Sequence, residues 1–284
     1  MKYKLTGETI QHAGITLYRI QALVDIPNIG VKAGDFGGWI AGEHNLRQEG
    51  DAWVAGDARV FEDAEVYGNA KVYGNAIVYG NARVFGNAIV YRNAWVFEDA
   101  WVSGKARVYG NALVSGDAKV FGNAKVFGNA KVYGNTLVSG DARVFGNAIV
   151  YGNAWVFEDA WVYENACVFG NAWVAGDARV FEDAEVYGNA KVYGNAIVYG
   201  NTLVSGDAKV SGNAKVYGNA WVFEDAWVYE NACVFGNALV SGDADVSGDA
   251  EVHGDAIVYG KARVSGDAKV YGNTKVFEDA RVYD

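Results

Sequence analysis

Asn75-Ala76-Ile77-Val78-Tyr79-Gly80 is one copy of a unit that fills the chain from Asp51 to Asp284, 39 consecutive hexapeptides without a gap. A short fixed period of this kind is the signature of a β-helix. The fourth position is Val in every unit, and the second is Ala except at Thr136, Thr202 and Thr274. Residues two apart lie on one face of a strand, so these two small apolar positions form an inward face. The third position varies freely (Lys71, Ile77, Arg83, Trp95, Glu185), as an outward side chain can. The fifth is usually Tyr or Phe and alternates with Val, so it too points outward. The sixth and first positions are mostly Gly-Asn or Gly-Asp, with Glu98-Asp99 and Glu158-Asp159 as variants. Such residues tolerate positive φ, and the pair is read as a corner joining strands of about four residues.

The unit resembles the hexapeptide repeat of the left-handed β-helix proteins, whose founding members are acyltransferases. Val78-Tyr79-Gly80-Asn81-Ala82-Arg83 fits that pattern, except that Tyr79 stands where the family usually has a small residue. The resemblance implies an all-β, single-stranded, left-handed parallel β-helix with three units per coil. Thirty-nine units (39/3) then make thirteen triangular coils, rising ~4.8 Å each to a length of ~60 Å.

Residues 1–50 do not repeat and are read as an N-terminal β cap leading into the solenoid of residues 51–284. Ile15 to Ile26 alternates, with Tyr18, Ile20, Ala22, Val24 and Ile26 on one side. This predicts a strand paired with one near Tyr3–Thr9 through the turn His12-Ala13-Gly14. The cap is expected to cover an open strand edge. Val31 to Trp39, followed by Gln48 to Trp53, resembles the opening of the YdcK-like hexapeptide-repeat proteins, a group described as acyltransferases. Gly37-Gly38 is read as a tight turn into the first coil. The last unit, Asp279 to Asp284, is unmodified, which leaves its edge without a cap on this reading.

A net charge of −10 argues against nucleic acid and anionic membranes as partners. No apolar run is long enough to insert in a bilayer, and the start lacks the apolar core of a signal peptide. The expected location is cytoplasmic, or a phage particle. Cys167 and Cys233 fall on different faces several coils apart and are expected to be free.

Taking every third unit sorts the outward residues. The first face carries an aromatic ladder at the fifth positions, from Tyr73 through Phe235 to His253 and Tyr271. It stands beside basic third positions such as Arg107, Arg143 and Arg179, and cation–π contacts between the two columns are expected. The second face is apolar: Ile77, Trp95, Leu113, Ile149, Leu203, Trp221, Leu239 and Ile257 form a candidate interaction column. The third face mixes Arg83, Lys119, Lys191 and Lys209 with Trp101, Trp155, Trp173 and Trp227. Ala52 to Gly80 recurs verbatim at Ala172 to Gly200, twenty units on. Twenty is not a multiple of three, so the copy lands on a different face.

The family resemblance implies a His base in a cleft between subunits. The candidate here is His253, with Glu251 on the same strand face expected to raise its pKa; the alternative is a solvated substitution in the ladder. At one corner Asp207, Asp225 and Asp243 form a column that is either a weak cation site or a set of solvated charges. No cofactor is implied. The leading functional reading is a non-enzymatic scaffold. It would self-associate, as a homo-oligomer or filament, through its exposed faces or its C-terminal edge. The alternatives are a YdcK-like acyltransferase and a phage or surface fibre module whose Trp and Tyr rows bind glycans.

Overall fold

The inward pair of each hexapeptide builds the core. In the computed structural model, which describes residues 1–284, every fourth-position Val from Val54 to Val264 is fully shielded from solvent. The second-position Ala residues beside them are shielded in the same way. At about 25 cal/mol per Å2 each such Val contributes on the order of 1.5–3 kcal/mol. The chain is an all-β parallel β-solenoid with two short 3-10 turns, Pro27–Ile29 and Glu43–Asn45, and no α-helix. It divides into two units, 1–140 and 141–284.

In the first unit the repeats stack with an offset of 18 residues, so three hexapeptides make one coil. Trp95 and Val96 lie opposite Leu113 and Val114, and Ile89 and Val90 lie opposite Arg107 and Val108. The second unit has the same register, with Leu203 and Val204 opposite Trp221 and Val222. Most strands hold only the third and fourth positions, shorter than the four residues expected. The shortening has a local cause. The second-position N–H bonds back to the fifth-position C=O, as in Ala64 to Phe61 at 3.4 Å, so the fifth residue already belongs to the turn.

Within that turn only the sixth position takes positive φ, 71° at Gly80 and 58° at Glu98. Positive φ at the first central residue alone is the requirement of a type II′ turn, which Gly meets without strain. The Asn at the next position is therefore not there for its backbone. Its amide donates to the Asn one coil on: Asn75 to Asn93, Asn93 to Asn111 and Asn111 to Asn129, at 3.0–3.2 Å. A carboxylate can accept such a bond but cannot pass one on. Asp therefore ends these ladders, as at Asn165 to Asp183 and Asn237 to Asp255.

The N-terminal segment forms three strands, β1 (Tyr3–His12), β2 (Ile15–Ala22) and β3 (Phe36–Ile40). Strands β1 and β2 pair antiparallel through Ala13-Gly14, both at positive φ. Strand β2 ends at Ala22, so Val24 is exposed rather than aligned with the buried Ile20. Strand β3 pairs antiparallel with β2 and parallel with Arg59–Val60, joining the hairpin to one solenoid sheet. Gly37 and Gly38 lie within β3 and make no turn. A Cβ on Gly37 would stand 2.5 Å from both Ile20 Cγ1 and the Val54 carbonyl, and one on Gly38 2.7 Å from the Ala58 carbonyl. These glycines let strand and coil approach. Beyond β3, buried Asn45 shapes the corner. Its Oδ1 accepts from the Ala41 and Gly42 N–H groups, and its Nδ2 donates to the Glu62 and Ala64 carbonyls.

Candidate functional site

The outward positions form columns, and their geometry defines the candidate surfaces. On the first face the fifth positions stack as expected. In the first unit Tyr73, Tyr91, Tyr109 and Phe127 follow one another with centroids 4.8–5.0 Å apart. In the second unit the run goes from Phe145 to Phe235, continues to His253 at 4.7 Å and reaches Tyr271 at 5.7 Å. His253 is thus a rung of an aromatic stack. Glu251 does not meet it. Its carboxylate lies 3.5 Å from Lys269 Nζ, because the 18-residue register puts a cation one coil on. The structure does not assemble His253 and Glu251 into an acid–base pair.

The expected cation–π contacts occur in a different place. The third-position cations lie over Trp residues of their own column, and the ladder meets a cation at the corner residue Arg92, 5.9 Å over Tyr91. Arg143 and Arg179 sit on Trp161 at 4.6 and 5.2 Å. On the third face Arg83 and Lys119 sit on Trp101 at 5.4 and 5.2 Å, and Lys191 on Trp173 at 4.8 Å. In-register neighbours one coil apart are closer than the next column, and an indole presents a face to each.

The second face carries its apolar column, with one change. Ile77 is only 8% exposed, packed with Leu17 and Phe61 and flanked by Ile10 and Ile15 of the hairpin. His12 at the hairpin end meets Phe61 edge-on at 5.2 Å and accepts from the Arg59 guanidinium. Burial and the Arg59 charge both lower the His12 pKa. The cap therefore covers the side of the solenoid as well as its end. Further along, Trp95 in the first unit is 42% exposed. In the second unit Trp221 is 49% exposed, and Ile149, Leu203, Leu239 and Ile257 are half-buried.

Asp207, Asp225 and Asp243 do not converge, and no group of three or more His, Cys, Asp or Glu side chains is placed to hold a metal ion. Corner residues stack parallel to one another, and Asp207 is spent accepting the Asn189 amide at 2.8 Å. Both cysteines are free thiols. Burial pushes their pKa values up, which reduces the reactive thiolate.

One recurrent device lies outside the hexapeptide pattern. At six of the sites where Glu replaces Gly at the sixth position, its carboxylate accepts from the sixth-position N–H one coil on. Glu62 bonds Gly80 at 2.9 Å, Glu98 bonds Gly116 at 2.6 Å and Glu224 bonds Gly242 at 2.6 Å. Aligning the sequence at 18 residues exposes the pairing; the hexapeptide alone does not.

No curated protein sequence matches the chain. Among solved structures it is similar to the UDP-N-acetylglucosamine acyltransferases of Francisella novicida and of Arabidopsis. To the first it is 14% identical over 59% of this chain and 63% of that one, with a TM-score of 0.33. To the second it is 15% identical over 66% and 71%, with a TM-score of 0.39. The chain thus spans less than two thirds of the Francisella enzyme's length, and likenesses of this size carry no statement about activity. The YdcK β-solenoid repeat matches residues 70–84, 78–92, 82–98, 106–122, 137–152, 142–158 and 190–206. Over those segments the chain carries YdcK-type β-solenoid repeats.

Proposed function

We propose that the chain is a non-enzymatic β-solenoid scaffold that self-associates laterally through its second face. The supporting observation is where the hairpin stops. Within the chain, Leu17, Ile10 and Ile15 cover Phe61 and Ile77, which shows the kind of cover this face accepts. The cover ends there, and Trp95, Trp221, Tyr259 and Phe277 are each more than a third exposed. Exposed apolar surface of this kind within each unit is a mark of an interaction site. A second copy offers the same strip and can meet it isologously. The test is sedimentation velocity on the wild type and on a variant with Trp95, Leu113, Ile149 and Leu203 all replaced by Lys. The wild type should sediment as an oligomer and the variant as a folded monomer. Equal sedimentation of the two would remove the second face from the account.

The YdcK repeat matches favour acyl transfer as a second reading. Calorimetry with acetyl-CoA separates the two: binding with turnover that is lost in His253→Ala supports the enzyme.

A further inference from the structure

We infer that each unit holds a binding slot for a flat aromatic ring carrying an anionic group, formed where Ala replaces a rung of an aromatic column. The two slots come from the same duplicated block. In the first unit a cavity of about 360 Å3 is lined by Trp53, Ala55, Lys71 and Tyr73, with Ile89 and with Ile29 and Val31 of the N-terminal segment. Trp53 is 4% exposed and meets Tyr3 edge-on at 6.4 Å. In the second unit one of about 460 Å3 is lined by Trp173, Ala175, Lys191 and Tyr193. Phe157, Lys209, Trp227 and Glu158 complete it, and the Glu158 carboxylate accepts from the Gly176 N–H at 2.7 Å. Trp53, Ala55, Lys71 and Tyr73 correspond one to one with Trp173, Ala175, Lys191 and Tyr193 at a shift of 120 residues, although the copies lie on different faces.

Filled rungs show what the slot accepts. In the first unit Trp95 meets Tyr79 edge-on at 6.5 Å while Phe97 stacks on Tyr79 at 5.0 Å. In the second, Trp161 meets Phe145 at 6.2 Å and 72° while Tyr163 stacks on Phe145 at 4.9 Å. Trp173 makes the same contact with Phe157, at 6.0 Å and 79°, but the next rung is Ala175. The indole wall is in place and the stacked ring is missing. At the first slot Tyr73 is the outermost rung of its ladder and 38% exposed, with Ala55 one coil beyond it. A ligand ring entering either slot would stack at the spacing of the protein's own rungs, a contact worth more than its buried area alone. The ammonium beside it sets the charge. Neither Lys71 nor Lys191 has a carboxylate partner, in a chain of net charge −10. Lys191 is already held over the Trp173 face at 4.8 Å.

The test is calorimetric titration of the full chain with indole-3-acetate and, separately, its neutral amide. The expected stoichiometry is two per chain for the acid, with the amide bound about tenfold more weakly. Ala55→Phe and Ala175→Phe complete the columns with a residue that other rungs already carry. Each should remove one site, and the double variant both. Tyr73→Leu with Tyr193→Leu removes the stacking platforms without filling the slots and should also abolish binding. Lys71→Gln with Lys191→Gln should weaken the acid about tenfold and leave the amide unchanged. Undetectable binding by the wild type, or unchanged binding in the doubly filled variant, overturns the assignment. Equal affinity for acid and amide overturns its anionic part.

Discussion

Single side chains in this molecule are controlled by the residue 18 positions away more than by their sequence neighbours. Val150 is fully shielded in the second unit. Val150→Asp puts a carboxylate where it has no partner and should cost several kcal/mol, on the order of what burying an unpaired polar group requires. Lys131→Glu, at an exposed outward position, should change the thermal midpoint little. A Val150→Asp protein that melts with the wild type would refute the inward assignment of the fourth position. The corner glutamates give a subtler case. Glu98 sits at φ 58°, a conformation that disfavours a side chain by ~1–2 kcal/mol. Its bond to the Gly116 N–H offsets that. Glu98→Ala keeps the strain and loses the bond, whereas Glu98→Gly loses both. Chemical denaturation should therefore rank Ala below Gly by about 1 kcal/mol. The reverse order would show that the positive φ at this corner carries no strain.

Among the elements, the hairpin and the coil it joins are tied by Lys2. Its Nζ donates to the carbonyls of Arg47, Gly50 and Ala52, at 2.7, 3.2 and 2.8 Å. Burial pulls its pKa down from 10.5 to about 8, against the attraction of Asp51 and Glu49. The folded chain thus binds this proton less tightly than the unfolded one. Below about pH 8 the penalty is fully present, and it is relieved as pH rises from about 8 towards 10.5. Stability should rise across that window by Lys2's share, and Lys2→Met should abolish the rise. Urea midpoints at pH 7.5 and 9.5 for both proteins check this; equal pH dependence would place the effect elsewhere. Nearby, burial pushes the Tyr3 hydroxyl upward, so its contribution is lost only above its ordinary value of 10.0.

The same elements show what was readable in advance. Val and Ala at period two named the inward face, and the Gly-Asn pair named the corner, because both signals lie within one hexapeptide. The three-unit coil came from resemblance, and the 18-residue pairing agrees with it. The Asn ladders, the Glu-to-N–H bonds and the Trp–cation pairs depend on a neighbour one coil away, which no single repeat displays. Gly37-Gly38 reads as a turn in sequence because close approach of two backbones leaves no mark in a one-dimensional pattern. The candidate site was the least legible part. His253 drew attention as a rare residue, yet its surroundings are those of the Tyr and Phe rungs it replaces.

For the whole molecule the proposed function is lateral self-association. The apolar second face is interrupted by Lys131 in the first unit and by Glu185 and Lys275 in the second, charges that would set a register in the proposed association. Trp95 and Trp221 on this face are 42% and 49% exposed. Light scattering across a concentration series is the most direct test. The account predicts a mass that is a multiple of 30.5 kDa, falling to the single-chain value when Trp95, Leu113, Ile149 and Leu203 become Lys. A wild-type mass that stays at 30.5 kDa up to the highest soluble concentration would contradict it.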